Sequence, residues 1–308
     1  MERLPTSPNG AAPGGSGGIC AAPIVRSKVQ TSRGEPIPEF GLAKGTNPSH
    51  HPLMADIQTN RLRLDACLVE RGLVQTRSRA RDAIQRGHVR IAGRVETKAS
   101  FAVEADAEIS IDDPAQAYVS RAALKLAAGL DHFAVDADGR VALDIGASTG
   151  GFTQLLLQRG AAHVVAIDVG HGQMHPSISG DPRVSGIEGL NARELTRDDI
   201  DGRTFDLLVA DVSFISLTLV LPPALDLAEP GTDAVFLVKP QFEAGREAIG
   251  KGGMLRDPGT AVAVAERLRD WLAAQPGGEA LGLIDSPIAG GDGNREFLLN
   301  GRKTSSCG

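Results

Sequence analysis

The 308-residue sequence predicts an α/β protein: an open, mostly parallel sheet finished by an antiparallel hairpin, preceded by a small α+β module. Three observations predict it. From Val141 onward, five apolar runs (VALDIG, AHVVAIDVG, RVSGIEG, FDLLVADV, AVFLVKPQ) alternate with helical stretches. Their near-continuous apolar character suits strands covered on both faces. Near the C-terminal end, LGLIDSPI and REFLLNGR are joined only by the turn-rich AGGDGN, too short a connection for anything but antiparallel pairing. Between Asn60 and Ser100, two glycine-terminated helical patterns lead into strand-like alternation around Ala92-Gly93.

The elements follow in order. Residues 1–56 are Gly/Pro/Ser-rich and are expected to be a disordered tail, because they bury too little apolar surface to offset ordering. Met54 stands just ahead of the first patterned segment, so the tail reads as an upstream extension. Residues 57–112 form the small module. There RLRLDACLVERGL places Leu64, Cys67 and Leu68 on one helix face, TRSRARDAIQRG starts with Thr76 as N-cap, and HVRIAGRV is a hairpin. Asp112, Asp113 and Pro114 mark a break, and residues 113–119 are a linker. Residues 120–302 hold the sheet domain, opened by the helix SRAALKLAAGLDHF. GGFTQLLLQRG, NARELTRDDI, SLTLVLPPALDLA and AVAVAERLRDWLAAQ are its further helices, and residues 303–308 a flexible end.

Composition narrows the function. Cys20, Cys67 and Cys307 lie too far apart for a metal motif or a disulfide framework, which fits a reducing cytosol. The longest apolar runs fall far short of the ~20 residues of a membrane span, and the N-terminus lacks the apolar stretch of a secretory signal. A cytoplasmic location is expected. Between Asn60 and Ser100 there are ten Lys/Arg and four Asp/Glu, a net +6 within a chain of net −6, so the remainder carries −12. A basic module on an acidic body suits a polyanionic partner; a solvated basic face is the plainer alternative. His171 and His175 have no evident third ligand, and no metal is expected. Gly250–Gly253 with Lys251 reads as a flexible substrate loop.

The turn in LDIGASTGGF follows the first strand of the sheet, where open α/β folds bind ligands. Gly146, Gly150 and Gly151 let backbone approach a ligand closely, with Asp144 and Ser148 beside them. Asp168 ends the second strand, 22 residues after Gly146, where an acid can accept hydrogen bonds from ribose hydroxyls. The spacing G-x-x-x-G-G, with serine at position 148, lacks the middle glycine that a dinucleotide pyrophosphate needs. This disfavours a dehydrogenase and favours S-adenosylmethionine, which has no phosphate. Two further charged residues end strands, Asp211 in LLVADVSF and Lys239 in FLVKPQFE. Glu296 opens the last strand, and Lys125 interrupts an apolar helix. A lysine ending a buried strand is costly unless paired or functional.

The sheet pattern looks like that of the S-adenosylmethionine-dependent methyltransferases. The stretch from Arg61 to Val95 resembles the S4-type RNA-binding domain, which implies RNA contacts through Arg61, Arg63, Arg77, Arg79, Arg81 and Lys98. A DNA-reading helix-turn-helix suits it less, because the second helix is short and flows straight into the hairpin. From about Arg61 to about Arg302, on VSRAALKL, LDIGASTGGFT, AIDVGHGQ, ADVSFISL, LVKPQFEAG, GGMLRDP and GNREFLL, the chain resembles the TlyA family of rRNA 2′-O-methyltransferases, historically called haemolysins. Its catalytic half also resembles the FtsJ group, whose Lys-Asp-Lys-Glu tetrad would fall on Lys125, Asp211, Lys239 and Glu296. The resemblance implies methylation of a cytidine 2′-hydroxyl in ribosomal RNA or ribosomal subunits, with Lys239 as base or as electrostatic stabiliser of the forming alkoxide. A non-catalytic RNA binder and a membrane-lytic protein are the rival readings. The first predicts a broken cofactor site, and the second predicts a strongly amphipathic cationic helix that the sequence lacks.

Overall fold

A computed structural model describes residues 61–305. The expected tail, and the last three residues of the expected flexible end, lie outside the described residues. The module begins with β1 (Arg61–Arg63), α1 (Leu64–Glu70) and α2 (Arg77–Gln85), followed by β2 (Val89–Ile91), β3 (Arg94–Val95), β4 (Ala102–Glu104) and β5 (Ile109–Ile111). Thr76 caps α2 by accepting a hydrogen bond from Arg79 N. Ala92 and Gly93 both have positive φ, as a tight two-residue hairpin turn requires. Helices α1 and α2 pack through Leu64, Cys67, Leu68, Ala80, Ala83 and Ile84, all essentially fully buried. Strand β1 pairs with β4, and β2 lies between β3 and β5, all antiparallel.

A single 3₁₀ turn, Pro114–Ala117, capped by the Asp113 carboxylate, leads to the sheet domain. Helix α3 (Ala122–Phe133) comes first, and Ser120 Oγ accepts from Ala122 N at its start. Then follow β6 (Val141–Ile145), α4 (Gly151–Gln158), β7 (His163–Asp168), α5 (Pro176–Ser179), β8 (Val184–Glu188), β9 (Leu207–Ala210), α6 (Leu217–Leu227) and β10 (Asp233–Val238). The chain continues through α7 (Pro240–Glu243), α8 (Thr260–Ala273), β11 (Gly278–Asp285) and β12 (Phe297–Lys303). These strands form one seven-stranded sheet of order β11-β12-β10-β9-β6-β7-β8. The strands from β8 to β10 run parallel, and β12 and β11 are the antiparallel hairpin. Strand order reverses between β6 and β9, so a crevice opens at their carboxyl ends.

Alternation along the strands feeds two cores. Leu143, Phe236 and Val238 face α6 and α8, whereas Ala142, Val235 and Leu237 face α3 and α4. Each fully buried Leu or Phe contributes ~1.5–3 kcal/mol relative to exposure. Helix α3 lies close on the sheet at Gly129, where a Cβ would sit 3.0 Å from Val235 Cγ1.

Two expectations are corrected. NARELTRDDI is not a helix but two separate 3₁₀ turns, Ala192–Glu194 and Asp198–Ile200. Asn191 Oδ1 accepts from Arg193 N and Asp199 Oδ2 from Thr196 N, and such local side-chain bonds compete with a helix. The ordered body also runs past residue 302: Lys303 belongs to β12, its Nζ donates to the Leu225 and Pro276 carbonyls, and Thr304 N donates to Gly277 O.

Candidate active site

Topology gathers the predicted residues at one sheet edge. Ile145 pairs with Ile167 and Ala210, so Gly146, Asp168 and Asp211 follow at the same level. The β10–β12 register pairs Val238 with Phe297, so Lys239 and Glu296 continue outward side by side. A cavity of about 540 Å³ opens there, lined by Gly146, Ser148, Asp168, Asp211, Ser213 and Phe214 among others. A second cavity of about 130 Å³ adjoins it, sharing Gly146, Ser148, Asp211 and Ser213 and adding Lys239, Thr149 and Ser120.

The glycines of the turn answer mainly to the protein. A Cβ on Gly146 would meet the Asp211 carbonyl oxygen at 2.7 Å, and one on Gly151 would meet Ser120 Cβ at 2.7 Å. Gly150 has φ 91° and packs on Ile178. The turn therefore lies flat against the end of β9 and the lead into α3, which fixes where its backbone borders the cavity. Asp168 is held by two amides: Ser148 N donates to Oδ2 (2.8 Å) and Gly170 N to Oδ1 (2.7 Å). Its carboxylate thus stands fixed at the cavity wall, each oxygen keeping acceptor capacity. Ser148 Oγ donates to Gln173 Oε1.

Asp144 does not line either cavity. It is fully buried beneath the turn, where Thr153 Oγ1 donates to its Oδ2 at 2.6 Å and Oδ1 has no partner. Burial pushes its carboxyl up to about 7, the charges of Asp211 and Asp168 add to this, and the Thr153 hydrogen bonds oppose it.

The four tetrad positions form two ion pairs. Lys239 Nζ lies 2.6 Å from Asp211 Oδ1 and donates to Ser213 Oγ at 2.8 Å, all at the small cavity. The Asp211 contact is a close ion pair at a buried carboxylate oxygen. Lys125 Nζ donates to Glu296 Oε2 at 2.5 Å, and both side chains are buried behind the edge. Neither lines the two cavities. Gly290 crosses over Glu296, where a Cβ would fall 2.6 Å from Oε1.

Several participants carry no legible sequence signal. Phe214 follows the strand end in a left-handed conformation (φ 65°), rare for an aromatic residue, and is 90% exposed at the cavity mouth. Its ring stands 5.0 Å from that of Phe242 at a 48° tilt. Glu243, beside Phe242, accepts from Leu217 N and Ser216 Oγ and so fastens the Phe214 loop to α7; burial raises its carboxyl, and those two hydrogen bonds counter the effect. The Gly250–Gly253 stretch is pinned: Asn294 accepts from Leu255 N and donates to Gly253 O, and Ile249 bridges to Leu255.

The predicted RNA contacts divide. Arg63, Arg77 and Arg81 all reach the Asp65 carboxylate and stay half exposed. Arg61 pairs with Glu104. Arg79 is turned inward to the linker, donating to the Ala115 and Tyr118 carbonyls. Lys98 bonds through its backbone N to Glu96 Oε1. Between the module and the sheet domain, Asp82 on α2 accepts from both Arg86 and Arg121. Arg86 also reaches Asp113, and Arg121 also donates to Ala289 O. Among the described residues no group of three or more His, Cys, Asp or Glu is placed to hold a metal, and no helix is long and apolar enough to cross a membrane.

Residues 118–303 match the FtsJ-like methyltransferase family and residues 62–109 the S4 domain. Over 244 residues the chain is 47% identical to the 16S/23S rRNA (cytidine-2′-O)-methyltransferase TlyA of Mycobacterium tuberculosis, covering 78% of this chain and 89% of that protein. It is 35% identical over 242 residues to Hemolysin A of Brachyspira hyodysenteriae, covering 78% and 99%. A solved structure of a hemolysin-type protein from Streptococcus thermophilus superposes with a TM-score of 0.63 at 38% identity, over 80% of this chain and 90% of that one. The chain belongs to the FtsJ-like methyltransferase family and carries an S4 domain ahead of its methyltransferase sheet.

Proposed function

We propose that this protein transfers a methyl group from S-adenosylmethionine to the 2′-hydroxyl of a cytidine in ribosomal RNA, in the cytoplasm, where ribosomal subunits are found. The observation that carries the reading is the fixed Lys239–Asp211–Ser213 cluster, set where the large cavity opens into the small one. The large cavity suits a nucleoside: its volume lies in the ~300–1,000 Å³ range of small-molecule sites, Asp168 offers acceptors for ribose hydroxyls, and Ile145, Ile167 and Leu190 form apolar walls. The bound cofactor supplies a methyl already activated by a sulfonium.

The chain's own work is alignment and charge. Holding hydroxyl oxygen and methyl carbon in line contributes roughly 7–11 kcal/mol. Lys239, paired with Asp211, directs its ammonium at the incoming 2′-oxygen and stabilises charge growing there. Asp211 Oδ1 holds that ammonium in place, and the hydroxyl proton leaves to solvent as the O–CH₃ bond forms and the C–S bond of the donor breaks. The buried Lys125–Glu296 pair holds α3 and the start of β12 beside this edge. Phe214 and Phe242 present a stacking surface for the target nucleobase, unstacked from the RNA.

Lys239→Ala tests this assignment: turnover should fall ~10²–10³-fold, while calorimetry with S-adenosylmethionine shows binding unchanged. Near-normal turnover would refute it.

A further inference from the structure

The module's arginines would be expected to repel one another, yet three of them converge on a single acid. Arg63 Nε donates to Asp65 Oδ1 at 3.0 Å and its Nη2 to Oδ2 at 3.3 Å; Arg77 Nη2 and Arg81 Nε reach the same Oδ2 at 3.1 and 3.0 Å. Asp65 is completely buried, whereas the three arginines remain about half exposed. They come from two elements: Arg63 ends β1, and Arg77 and Arg81 stand one turn apart on α2. The α1–α2 packing brings Asp65, in the first turn of α1, beneath both.

We propose that Asp65 is a positioning residue for RNA, setting Arg63, Arg77 and Arg81 as a fixed fan that takes neighbouring phosphates of the RNA backbone. This rests on the reading of the module as an RNA-binding face. Each guanidinium has five N–H donors, and Asp65 occupies only one or two of them, so each retains outward-facing donors. The carboxylate relieves mutual repulsion while leaving the group with net positive charge, and it removes rotamer freedom that binding would otherwise have to restrict. The Arg63 hydrogen bond foremost, opposed by burial and reinforced by Arg81 and Arg77, holds the Asp65 carboxyl far below its usual range, so the fan stays set at any physiological pH. Arg61 shares a strand face with Arg63 and extends the same surface.

The proposal has an unusual sign. Asp65→Asn raises the module's net positive charge, so charge alone predicts tighter RNA binding. A set fan predicts the reverse: affinity of the full-length protein for purified ribosomal subunits about tenfold weaker, with the slope of log affinity against log salt shallower by about two phosphate contacts. Equal or tighter binding by a variant with unchanged circular dichroism overturns the proposal. Should Asp65→Asn fail to fold, the triple variant Arg63→Lys, Arg77→Lys, Arg81→Lys decides, since it keeps the charge and loses the forks. A comparable loss supports the fan, and unchanged affinity sinks it. The triple Arg→Gln variant is the separate control. If it binds subunits as the wild type does, the RNA-binding reading of the module itself fails.

Discussion

At the scale of single residues, the site depends on charges held where they would be expensive without partners. Asp144 shows this with a definite pH signature. Its carboxyl is raised to about 7 in the folded protein, from 3.8 as the ordinary value. Between those values the native state keeps a proton that the unfolded chain has lost, so its contribution makes stability fall as pH rises from about 4 to about 7, and level off above. Asp144→Asn removes that term. Thermal melts of both proteins across this window should show the variant gaining on the wild type as pH rises, by about 1 kcal/mol per unit. Parallel pH profiles would mean that Asp144 is ionised in the fold. Asp168, Asp211 and Lys239 were legible in sequence because each stands at a strand end, where a charge after an apolar run faces the crevice. Asp65 was not: its partners lie 12 and 16 residues further on, and only the packing of α1 on α2 shows that they share one carboxylate. Nor does any composition rule foresee the left-handed backbone of Phe214.

At the scale of elements, the glycine turn and the Arg121 hub set geometry. Gly146→Ala would place a methyl against the Asp211 carbonyl at a positive φ, so it should cost about 1–3 kcal/mol. It should also weaken S-adenosylmethionine binding, read by calorimetry; unchanged stability and affinity would show that the turn can move away. The sequence located this turn correctly but read its glycines as room for a ligand, when the nearest atoms belong to β9 and the approach to α3. Arg121 touches three places: Asp82 on α2, the Ala289 carbonyl ahead of Glu296, and, through its own position, the start of α3 that carries Lys125. Arg121→Gln should therefore lower kcat/KM on ribosomal subunits several-fold with cofactor affinity intact, and Arg121→Lys, which keeps a cation for Asp82, should recover part of the loss. No recovery would assign Arg121 a purely local role. The helix expected over NARELTRDDI failed at this same scale, because Asn191, Thr196 and Asp199 spend their side chains on nearby amides.

At the scale of the whole molecule, a basic module and an acidic sheet domain divide the work between holding RNA and transferring a methyl. The parallel strands and the final antiparallel hairpin were readable because apolar runs and connection lengths leave few alternatives, whereas the strand order, with its reversal between β6 and β9, emerges only from the structure. What periodicity could not convey was how the module is joined to the rest: Arg79 and Arg86 hold the linker, and Arg121 ties Asp82 on α2 to the start of α3. The decisive measurement is methyl transfer from labelled S-adenosylmethionine to isolated ribosomal subunits, with the modified nucleotide mapped, for the wild type beside Lys239→Ala. The wild type should place label on the 2′-oxygen of a cytidine, and the variant should place ~10²–10³-fold less there in the same time. Label on a base, or equal labelling by both proteins, would contradict the proposed reaction.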